Sequence, residues 1–396
     1  VSRYRLYPTL EQEVGLRLHC GHARFVWNLC VEQHGWWTPR RGPAPNFAVQ
    51  CRQLTEARAD NLWLAAGSVT VQQQALRDFA QATANFFAGT HRRPTWRRAG
   101  RHEGFRVIAV RPDDVRRVNR ATGEVKVPKV GWVRFRWSRA VPEARSYRIT
   151  RDAAGRWHVA FAAVPASIEV PGNGAVVGVD RGVSVSAALS TGAMLNVPGL
   201  RRTEARRLTL LQRRLARAKR GGRRRRILKA AIARLKARET DRRKDWVEKT
   251  TTRLASGFDV IGIEDLRVKN MTASAKGTIE APGRGVRAKA GLNKAILASG
   301  WGQLARRLEH KAQGRVIPVD PAYTSQRCSA CGHVDTKNRE SQSVFVCTAC
   351  GFACHADVNA AINIETAAGR AVAAREGPRV AGPTHREPQH DLLLSA

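Results

Sequence analysis

The sequence predicts an α/β protein of several domains, and three patterns support this fold class. Apolar and polar residues alternate repeatedly between positions 105 and 161, which favours an antiparallel β structure closed into a barrel. Two apolar runs, 175–180 and 260–264, each end on a carboxylate and are typical of buried strands. Residues 201–244 place leucine and isoleucine at helical spacing, which predicts two helices joined at a glycine pair.

The N-terminal part is predicted to combine this barrel with a small helical bundle. Residues 1–7 should form a strand, and Pro8 then leads into a helix. A helical pattern runs from Ala23 to about Ala88, with a break after Trp36 and Trp37. On the later strands, one face carries Trp132, Arg134 and Arg136; it is either an ordinary barrel exterior with ion-paired arginines or a surface for nucleic acid.

The second half is predicted to begin with an RNase H-like opening, in which a first strand carries an acid and a hairpin follows it. The expected strands are 175–180, 183–189 and 193–197, separated by glycine turns. The remaining expected elements are a helix from Trp246 to Ala255, a mobile loop over 272–292, a helix over 301–312, a strand over 315–319 and a disordered tail after about Ala373.

The charge balance indicates a polyanionic partner. The 396 residues include 69 Lys and Arg against 32 Asp and Glu, which gives a formal charge of +37. No apolar run approaches the roughly 20 residues of a membrane span, and the N-terminus shows no signal-peptide pattern. We therefore expect a cytoplasmic protein that binds nucleic acid, associated with the nucleoid when bound to DNA, and no membrane partner.

The basic residues are concentrated in a few segments. Residues 201–244 contain 20 Lys or Arg and 3 acids, a density that a merely solvated hairpin would support poorly. A second basic segment, 91–98, has tryptophan among its arginines, as in segments that bind phosphate and stack on bases. The predicted nucleic-acid contacts are Arg24, Trp27, Arg92, Arg93, Arg97, Arg98, Arg223, Arg224, Arg225 and Arg226.

Four of the eight cysteines have the spacing of a structural zinc site. Cys328, Cys331, Cys347 and Cys350 form C-x₂-C-x₁₅-C-x₂-C, so one tetrahedral Zn²⁺ would take two thiolates from each turn. Two disulfides are the alternative, which the lack of a secretion pattern disfavours. Cys354 and His355 lie close enough to be substitute ligands. The isolated Cys20, Cys30 and Cys51 are expected to be inert buried thiols.

Three acids are the strongest candidates for catalysis. Asp180 and Glu264 close apolar strands, and Asp357 opens an amphipathic helix, so the three carboxylates can converge although they are distant in sequence. Converging carboxylates hold Mg²⁺ or Mn²⁺, and two such ions about 4 Å apart can hydrolyse a phosphodiester. Each acid also has a structural alternative as a turn or cap residue. Asp265 is expected to be a helix cap.

Several motifs, in order, resemble those of the TnpB family of transposon-encoded RNA-guided DNA endonucleases, which is related to the type V CRISPR effectors. They run from near the first residue to about residue 368. The motifs are Tyr4-Arg-Leu-Tyr-Pro-Thr, Gly21-His-Ala-Arg-Phe-Val-Trp-Asn, Gly178-Val-Asp-Arg-Gly-Val, Ile263-Glu-Asp-Leu-Arg-Val-Lys-Asn-Met, Tyr323-Thr-Ser-Gln-Arg-Cys-Ser-Ala-Cys-Gly and Ala356-Asp-Val-Asn-Ala-Ala-Ile-Asn-Ile.

The resemblance implies a RuvC-like nuclease that binds a guide RNA and double-stranded target DNA, one protein for each guide RNA. It implies that Asp180, Glu264 and Asp357 hold two Mg²⁺ or Mn²⁺ ions and that the cysteines hold one structural Zn²⁺. The domains expected on this basis are a wedge-like β-barrel (1–22 and 90–170), a helical recognition domain (23–89), the RuvC-like domain (173–323 and 354–372), a zinc ribbon that binds target nucleic acid (324–353) and a disordered tail (373–396).

Two positions depart from the family pattern, and other functions stay open. His355 stands where the family often has Asp, and a common histidine is replaced near Glu248, which could alter support of the site. A compact type V CRISPR effector would share these motifs. A zinc-ribbon DNA-binding regulator with an inactive nuclease fold is an alternative that the intact acids disfavour. A strand-joining transposase would normally need a tyrosine nucleophile or a different acid set.

Overall fold

The computed structural model describes residues 2–38, 40, 42–101 and 103–376. The chain divides into two compact units. The first comprises Val1–Ala166 and Gly199–Asp241, and the second comprises Ser167–Pro198 and the chain from Arg242 onward. None of the helices among the described residues is long and apolar enough to cross a membrane.

The first unit contains a seven-stranded antiparallel sheet in the order β2-β6-β7-β1-β5-β4-β3. The predicted antiparallel strands are present, and β3 is an additional short strand that the alternation did not indicate. Because β2 and β3 are the outer strands of this order, closure into a barrel stays a prediction. The strands are β1 Ser2–Tyr7, β2 Gly104–Ile108, β3 Val115–Arg117, β4 Thr122–Val127, β5 Gly131–Arg136, β6 Ser146–Arg151 and β7 Trp157–Phe161.

Four helices pack with this sheet around one hydrophobic core. The long first helix begins after Thr9, which forms a capping box with Gln12, as its sequence position suggests. Tyr4, Phe135 and Phe161 meet edge to face within the core, which also includes residues of α1 and α4. The helices are α1 Leu10–Trp36, α2 Phe47–Asp60, α3 Leu62–Ala66 and α4 Val69–Phe87. The predicted domain boundary at residues 22 and 23 therefore falls inside one continuous helix.

The basic hairpin consists of α5 Arg202–Arg217 and α6 Arg223–Gly257. Leu208, Leu211, Leu228 and Leu235 are buried together between the two helices, as their spacing predicts. Gly221, at φ +81°, allows the tight connection. The separate helix expected from Trp246 is instead the end of α6, because no helix-breaking residue interrupts the chain before it.

The second unit contains a five-stranded sheet in the order β10-β9-β8-β11-β12. β8, β11 and β12 run parallel, and β9 is antiparallel to β8 and β10. The second strand begins at Ala187 rather than at Val183, since residues 181–186 form a loop. The strands are β8 Val176–Asp180, β9 Ala187–Leu189, β10 Met194–Leu195, β11 Val260–Glu264 and β12 Val316–Val319.

The other elements of this unit are α7 Val268–Met271, α8 Val286–Ser299, α9 Trp301–Lys311, the hairpin of β13 Val344–Val346 and β14 Ala353–His355, and α10 Ala356–Glu376. The mobile loop predicted over 272–292 is wrong from Val286 onward, where alanine, leucine and lysine favour helix. The predicted disordered tail is also wrong for residues 373–376, which continue α10. Residues 377–396 lie outside the described residues.

Two strand glycines allow α10 to lie close against the sheet. A Cβ atom at Gly178 in β8 would collide with the main-chain carbonyl of Ala361, and one at Gly262 in β11 would lie 2.8 Å from the Cβ of Ala368. Both positions therefore need glycine for this helix–sheet packing. The close packing brings the start of α10 to the carboxyl ends of the two strands.

Candidate active site, zinc centre and nucleic-acid surfaces

The structure brings the three predicted acids together. Asp180 is the last residue of β8, Glu264 is the last residue of β11, and Asp357 is the second residue of α10. β8 and β11 are parallel neighbours that pair Val179 with Ile263, so their terminal acids lie side by side. The charges of Glu264 and Asp357 both act on Asp180. The order and directions of the strands thus account for the convergence.

The three carboxylates are largely removed from water. Glu264 is 8% exposed and Asp357 is 5% exposed. Burial, and then the charges of Glu264 and Asp357, raise the pKa of Asp180 to about 7. Burial also raises the pKa of Glu264, although the Thr324 hydroxyl opposes this by donating a hydrogen bond of 3.0 Å to its Oε1. A cation in the cluster would relieve these unfavourable charges.

Arg181 is a buried cation beside the acids, only 5% exposed. Its guanidinium donates to the main-chain carbonyl of Glu264, and the Trp301 indole donates to the carbonyl of Gly182 at 3.1 Å. Burial lowers the pKa of Arg181, while Glu264 and Asp180 raise it. Sequence reasoning treated Arg181 only as part of a turn. A charged residue directly after a strand-end acid is the one signal that could have identified it.

Arg339 is a second cation that sequence reasoning missed. It comes from the segment between the two cysteine pairs, and its Nη2 lies 3.2 Å from Oδ1 of Asp357. His355, one of the two residues that differ from the family pattern, supports the start of α10. Its Nδ1 accepts a hydrogen bond of 3.2 Å from the main-chain N–H of Asp357. The other departure, Glu248, pairs with Arg307 at 2.8 Å and Lys311 at 3.0 Å instead of supporting an acid.

The donor set suits a hard divalent cation, because the buried carboxylates of Glu264 and Asp357 and the partly buried carboxylate of Asp180 offer oxygen ligands. In the described part of the chain, only the four cysteines place three or more ligand atoms all within 4.8 Å of one another, so the three carboxylates are not all mutually this close. A pair of ions about 4 Å apart is compatible with that wider spacing. Asp265, expected to cap a helix, is exposed and does not cap α7.

The predicted zinc cysteines are gathered at one point. The sulfurs of Cys328 and Cys350 are 3.8 Å apart and those of Cys331 and Cys347 are 3.6 Å apart. Tetrahedral zinc with Zn–S bonds of about 2.3 Å requires sulfurs roughly 3.8 Å apart, whereas a disulfide requires about 2.05 Å. A hydrogen bond from the main-chain N–H of Cys350 lowers the pKa of Cys347 to about 6, whereas the contacts with the other three thiols raise the pKa of Cys350. The cysteine cluster fits Zn²⁺ rather than disulfides.

The other cysteines stand apart from this set. Gly332 and Gly351, which follow the two pairs, have φ of +80° and +73°, as tight knuckle turns require. Cys354 packs beside the knuckle core but is outside the four-sulfur cluster, so the substitute-ligand alternative is not favoured. Cys20 and Cys30 are buried free thiols, and burial raises the pKa of each. Cys51 is a half-buried free thiol whose pKa is likewise raised by burial.

Two buried asparagines of α10 tie the zinc knuckle to the acids. Asn359 accepts from the N–H of Ser329 at 2.9 Å and donates to the carbonyl of Arg327 at 2.7 Å. Asn363 donates to the carbonyls of Thr324 at 2.9 Å and Arg327 at 2.7 Å. Thr324 also donates a hydrogen bond to Glu264. The turn that contains Thr324 and Arg327 therefore links the zinc knuckle to the carboxyl end of β11 and to the first turns of α10.

Three of the predicted nucleic-acid contacts have internal partners instead. Arg24 pairs with Glu103 at 3.1 Å. Trp27 is 7% exposed and its indole donates to the carbonyl of Thr95 at 2.9 Å. The guanidinium of Arg97 lies 3.5 Å from the centre of the Trp27 ring. Trp27 and Arg97 thus fasten segment 91–98 to α1, whereas Arg24 pairs outside that segment. Contact of these three side chains with nucleic acid stays a prediction, which their internal partners disfavour.

The rest of segment 91–98 is accessible. Arg92, Arg93 and Arg98 are exposed, and Trp96 is about half exposed. Arg93 donates to the carbonyl of His34 at 3.1 Å.

On β5, Arg134 lies 3.3 Å from Glu124, and Trp132 has the Arg116 guanidinium above its ring. These contacts support the ion-paired exterior for that strand face.

Of the four arginines that open α6, three are exposed and one is not. Arg223, Arg224 and Arg226 face solvent. Arg225 donates to the carbonyls of Leu215 at 2.8 Å and Ala218 at 3.1 Å, so it caps the end of α5. A shallow cavity at the hairpin tip is lined by Arg220, Gly221, Gly222, Arg225, Arg226 and Lys229. Its basic lining suits phosphate groups.

Comparisons with known proteins agree with this arrangement. Family models match at residues 158–275 ("Probable transposase"), 301–364 ("Cas12f1-like, TNB domain") and 2–42 ("Helix-turn-helix domain"). Within 2–42, the structure has β1 followed by the 27-residue helix α1. A cryo-EM structure of a Cas12f1–sgRNA–target DNA complex matches 89% of this chain and 83% of that chain, with a TM-score of 0.55 and 14% identity, and so shows a shared fold.

Two relatives match over nearly their whole length. "Putative RNA-guided DNA endonuclease InsQ" of Escherichia coli (strain K12) is 34% identical over 405 residues, covering all of this chain and 98% of the relative. "Putative RNA-guided DNA endonuclease" of Streptomyces pristinaespiralis is 30% identical, covering 95% of this chain and 91% of the relative. Together with the transposase model, these matches show that the chain belongs to the TnpB family, also described as IS605-type OrfB transposases.

Proposed function

We propose that this protein is an RNA-guided DNA endonuclease that hydrolyses phosphodiesters at Asp180, Glu264 and Asp357. The convergence of these buried acids, with the pKa of Asp180 raised to about 7, is the observation that carries the proposal. The printed names of both full-length relatives support the RNA guide and the DNA substrate. The sheet order β10-β9-β8-β11-β12 agrees with an RNase H-like, RuvC-type domain.

In the proposed mechanism, the carboxylates of Asp180, Glu264 and Asp357 would together hold two divalent cations, Mg²⁺ or Mn²⁺. When bound, such ions lower the pKa of the attacking water and stabilise the leaving 3′ oxygen. Thr324 holds one oxygen of Glu264, and Arg181 fixes the end of β11 through its main chain. These contacts keep the acids oriented before the substrate arrives.

Arg339 has a second role in this mechanism. Its guanidinium lies 3.2 Å from Asp357, where it offsets the negative charge of the cluster. Arginine also pairs in a bidentate manner with phosphate oxygens. From this position beside the acids, Arg339 would also be able to pair with the phosphate that is cut.

The other proposed sites position the two nucleic acids. Cys328, Cys331, Cys347 and Cys350 would hold one structural Zn²⁺, and the ribbon around it would contact target DNA. The exposed arginines Arg223, Arg224 and Arg226, with Arg92, Arg93 and Arg98, would contact phosphates without reading sequence. We propose one protein for each guide RNA, with the N-terminal sheet as a wedge-like barrel and α1–α4 as the recognition helices.

The decisive experiment has two stages. RNA that copurifies with the protein is sequenced, and the loaded protein is then given double-stranded DNA containing the matching sequence beside randomised flanks. Cleavage in Mg²⁺ that requires the match and a short flanking motif is expected. Guide-dependent binding without cleavage would favour the inactive regulator, and absence of any bound RNA would contradict the proposal.

A further inference from the structure

Tyr323 combines an unusual backbone with an exposed ring next to the acid cluster. It has φ +62°, and only Ala109 and Lys129 share a positive φ among the non-glycine residues that the structure describes. The left-handed conformation is unfavourable for a bulky side chain and persists only where surrounding contacts impose it. Tyr323 is nevertheless 61% exposed, so packing of its ring in the protein does not explain its positive φ.

The turn that carries Tyr323 is firmly held. The carbonyl of Tyr323 accepts from the N–H groups of Gln326 at 3.0 Å and Arg327 at 2.9 Å. The next residue, Thr324, is buried and bonds to Glu264, while its carbonyl accepts from Asn363. A rigid turn therefore presents the tyrosine ring to solvent one residue from the direct partner of an acid.

The surroundings indicate which molecule the ring contacts. Arg327, on the same turn, has an exposed side chain that can pair with a phosphate. An exposed aromatic ring beside a cation matches the chemistry of sites for single-stranded nucleic acid, where rings stack on bases and cations bind the backbone. Within a duplex, the neighbouring base pairs cover both faces of each base, so this exposed ring suits an unpaired base better than one inside a duplex.

We infer that Tyr323 stacks on an unpaired base of the DNA strand that is being cut, close to the scissile phosphate, with Arg327 on a neighbouring phosphate. This inference rests on the proposed nuclease function. It makes Tyr323 a substrate-contacting residue that positions the strand over the acids. The left-handed backbone of Tyr323 would then serve to present the ring to the DNA instead of packing it in the protein.

The chain offers well-matched variants for a test. Tyr323→Gly removes the ring and relieves the backbone strain, so the turn should persist and the thermal midpoint should not fall. Tyr323→Phe keeps the ring and loses only the hydroxyl. Ala109→Gly relieves the same type of strain at a position distant in sequence from the cluster and serves as the control.

The first measurement needs no cleavage. Short single-stranded DNA containing one 2-aminopurine is titrated with the full-length protein, and stacking on a ring quenches its fluorescence. The wild-type, Tyr323→Phe and Ala109→Gly proteins should quench it, whereas Tyr323→Gly should quench less and bind on the order of 10-fold more weakly. Equal quenching and affinity in Tyr323→Gly would overturn the inference.

Cleavage by guide-loaded protein separates the two proposals. The effect of Tyr323→Gly should appear mainly in KM for DNA, and Tyr323→Phe should restore the wild-type value. If the wild-type protein does not cut but quenching depends on Tyr323, the nuclease proposal fails, and only the stacking of Tyr323 on single-stranded DNA stands, without its link to cleavage. If the wild-type protein cuts and Tyr323→Gly matches it in KM, the stacking inference fails alone.

Discussion

The acid cluster and the basic hairpin hold their charges in opposite ways. Glu264 and Asp357 are almost fully buried, and their neighbours fix them at specific atoms. At the start of α6, Arg223, Arg224 and Arg226 are exposed. The first arrangement can orient reacting atoms, and its electrostatic energy is sensitive to each residue. The second can only attract a polyanion, so each residue contributes a similar, salt-dependent share.

The largest expected effect is loss of cleavage at the acids. Asp180→Ala, Glu264→Ala or Asp357→Ala should each reduce guide-directed DNA cleavage by about 10³-fold or more, because several kcal/mol of charge stabilisation depend on the bound cations. Guide-RNA binding should stay nearly intact. Asp265→Ala changes the adjacent exposed acid and is the matched control. A near wild-type rate in any one of the three variants would show that its acid is not catalytic.

Zinc removal should produce the next largest effect. Cys347→Ser should lose the metal and destabilise the ribbon, because structural zinc contributes folding energy directly. Cys354→Ser, a cysteine outside the cluster, should keep it. Metal analysis of purified wild-type protein should find one equivalent of zinc. Less than half an equivalent in folded, unchelated protein would count against the site.

When no cation is bound at the acid cluster, the free energy of unfolding should depend on pH because of the pKa of Asp180. The pKa of Asp180 is raised to about 7 in the folded state, so the folded protein holds this proton more tightly than the unfolded chain does. The free energy of unfolding should therefore decrease as pH rises from about 4 to about 7. Asp180→Asn should flatten that decrease, as measured by urea titrations at several pH values. An unchanged slope in the variant would contradict the assigned pKa.

The hairpin should show the smallest effect for each residue. Arg224→Gln should weaken RNA binding slightly and reduce its log–log salt dependence by about 0.7–0.9 for the lost phosphate contact. Arg225→Gln removes the cap of α5 and should lower the thermal midpoint instead, with little change in that slope. Changing Arg223, Arg224 and Arg226 together to Glu should reduce both the RNA affinity and its salt dependence by more than the single variant does. Identical slopes for wild type and the triple variant would indicate a merely solvated hairpin.

Sequence and structure agree best where a signal is local. Asp180 and Glu264 end apolar strands, and the cysteines occur in paired turns, so their chemistry and spacing could be predicted. Thr324 and Arg339 could not, because their partners are decided by tertiary packing, and Arg181 had only the signal of a charge directly after a strand-end acid. Trp27 and Arg97 show a local pattern that does not identify the partner. A tryptophan near an arginine has the same sequence pattern whether the two stack on each other or on a base.

The pKa of Asp180 and the spacing of the acids lead to one direct test of the metal centre. Mn²⁺ binding to zinc-loaded protein is measured by electron paramagnetic resonance at pH 8 and at pH 6, for wild type and for Asp180→Asn. We expect two Mn²⁺ ions per wild-type chain at pH 8, weaker binding at pH 6 where Asp180 is protonated, and loss of binding in the variant. Equal Mn²⁺ binding by Asp180→Asn, or none by wild type at either pH, would contradict the account.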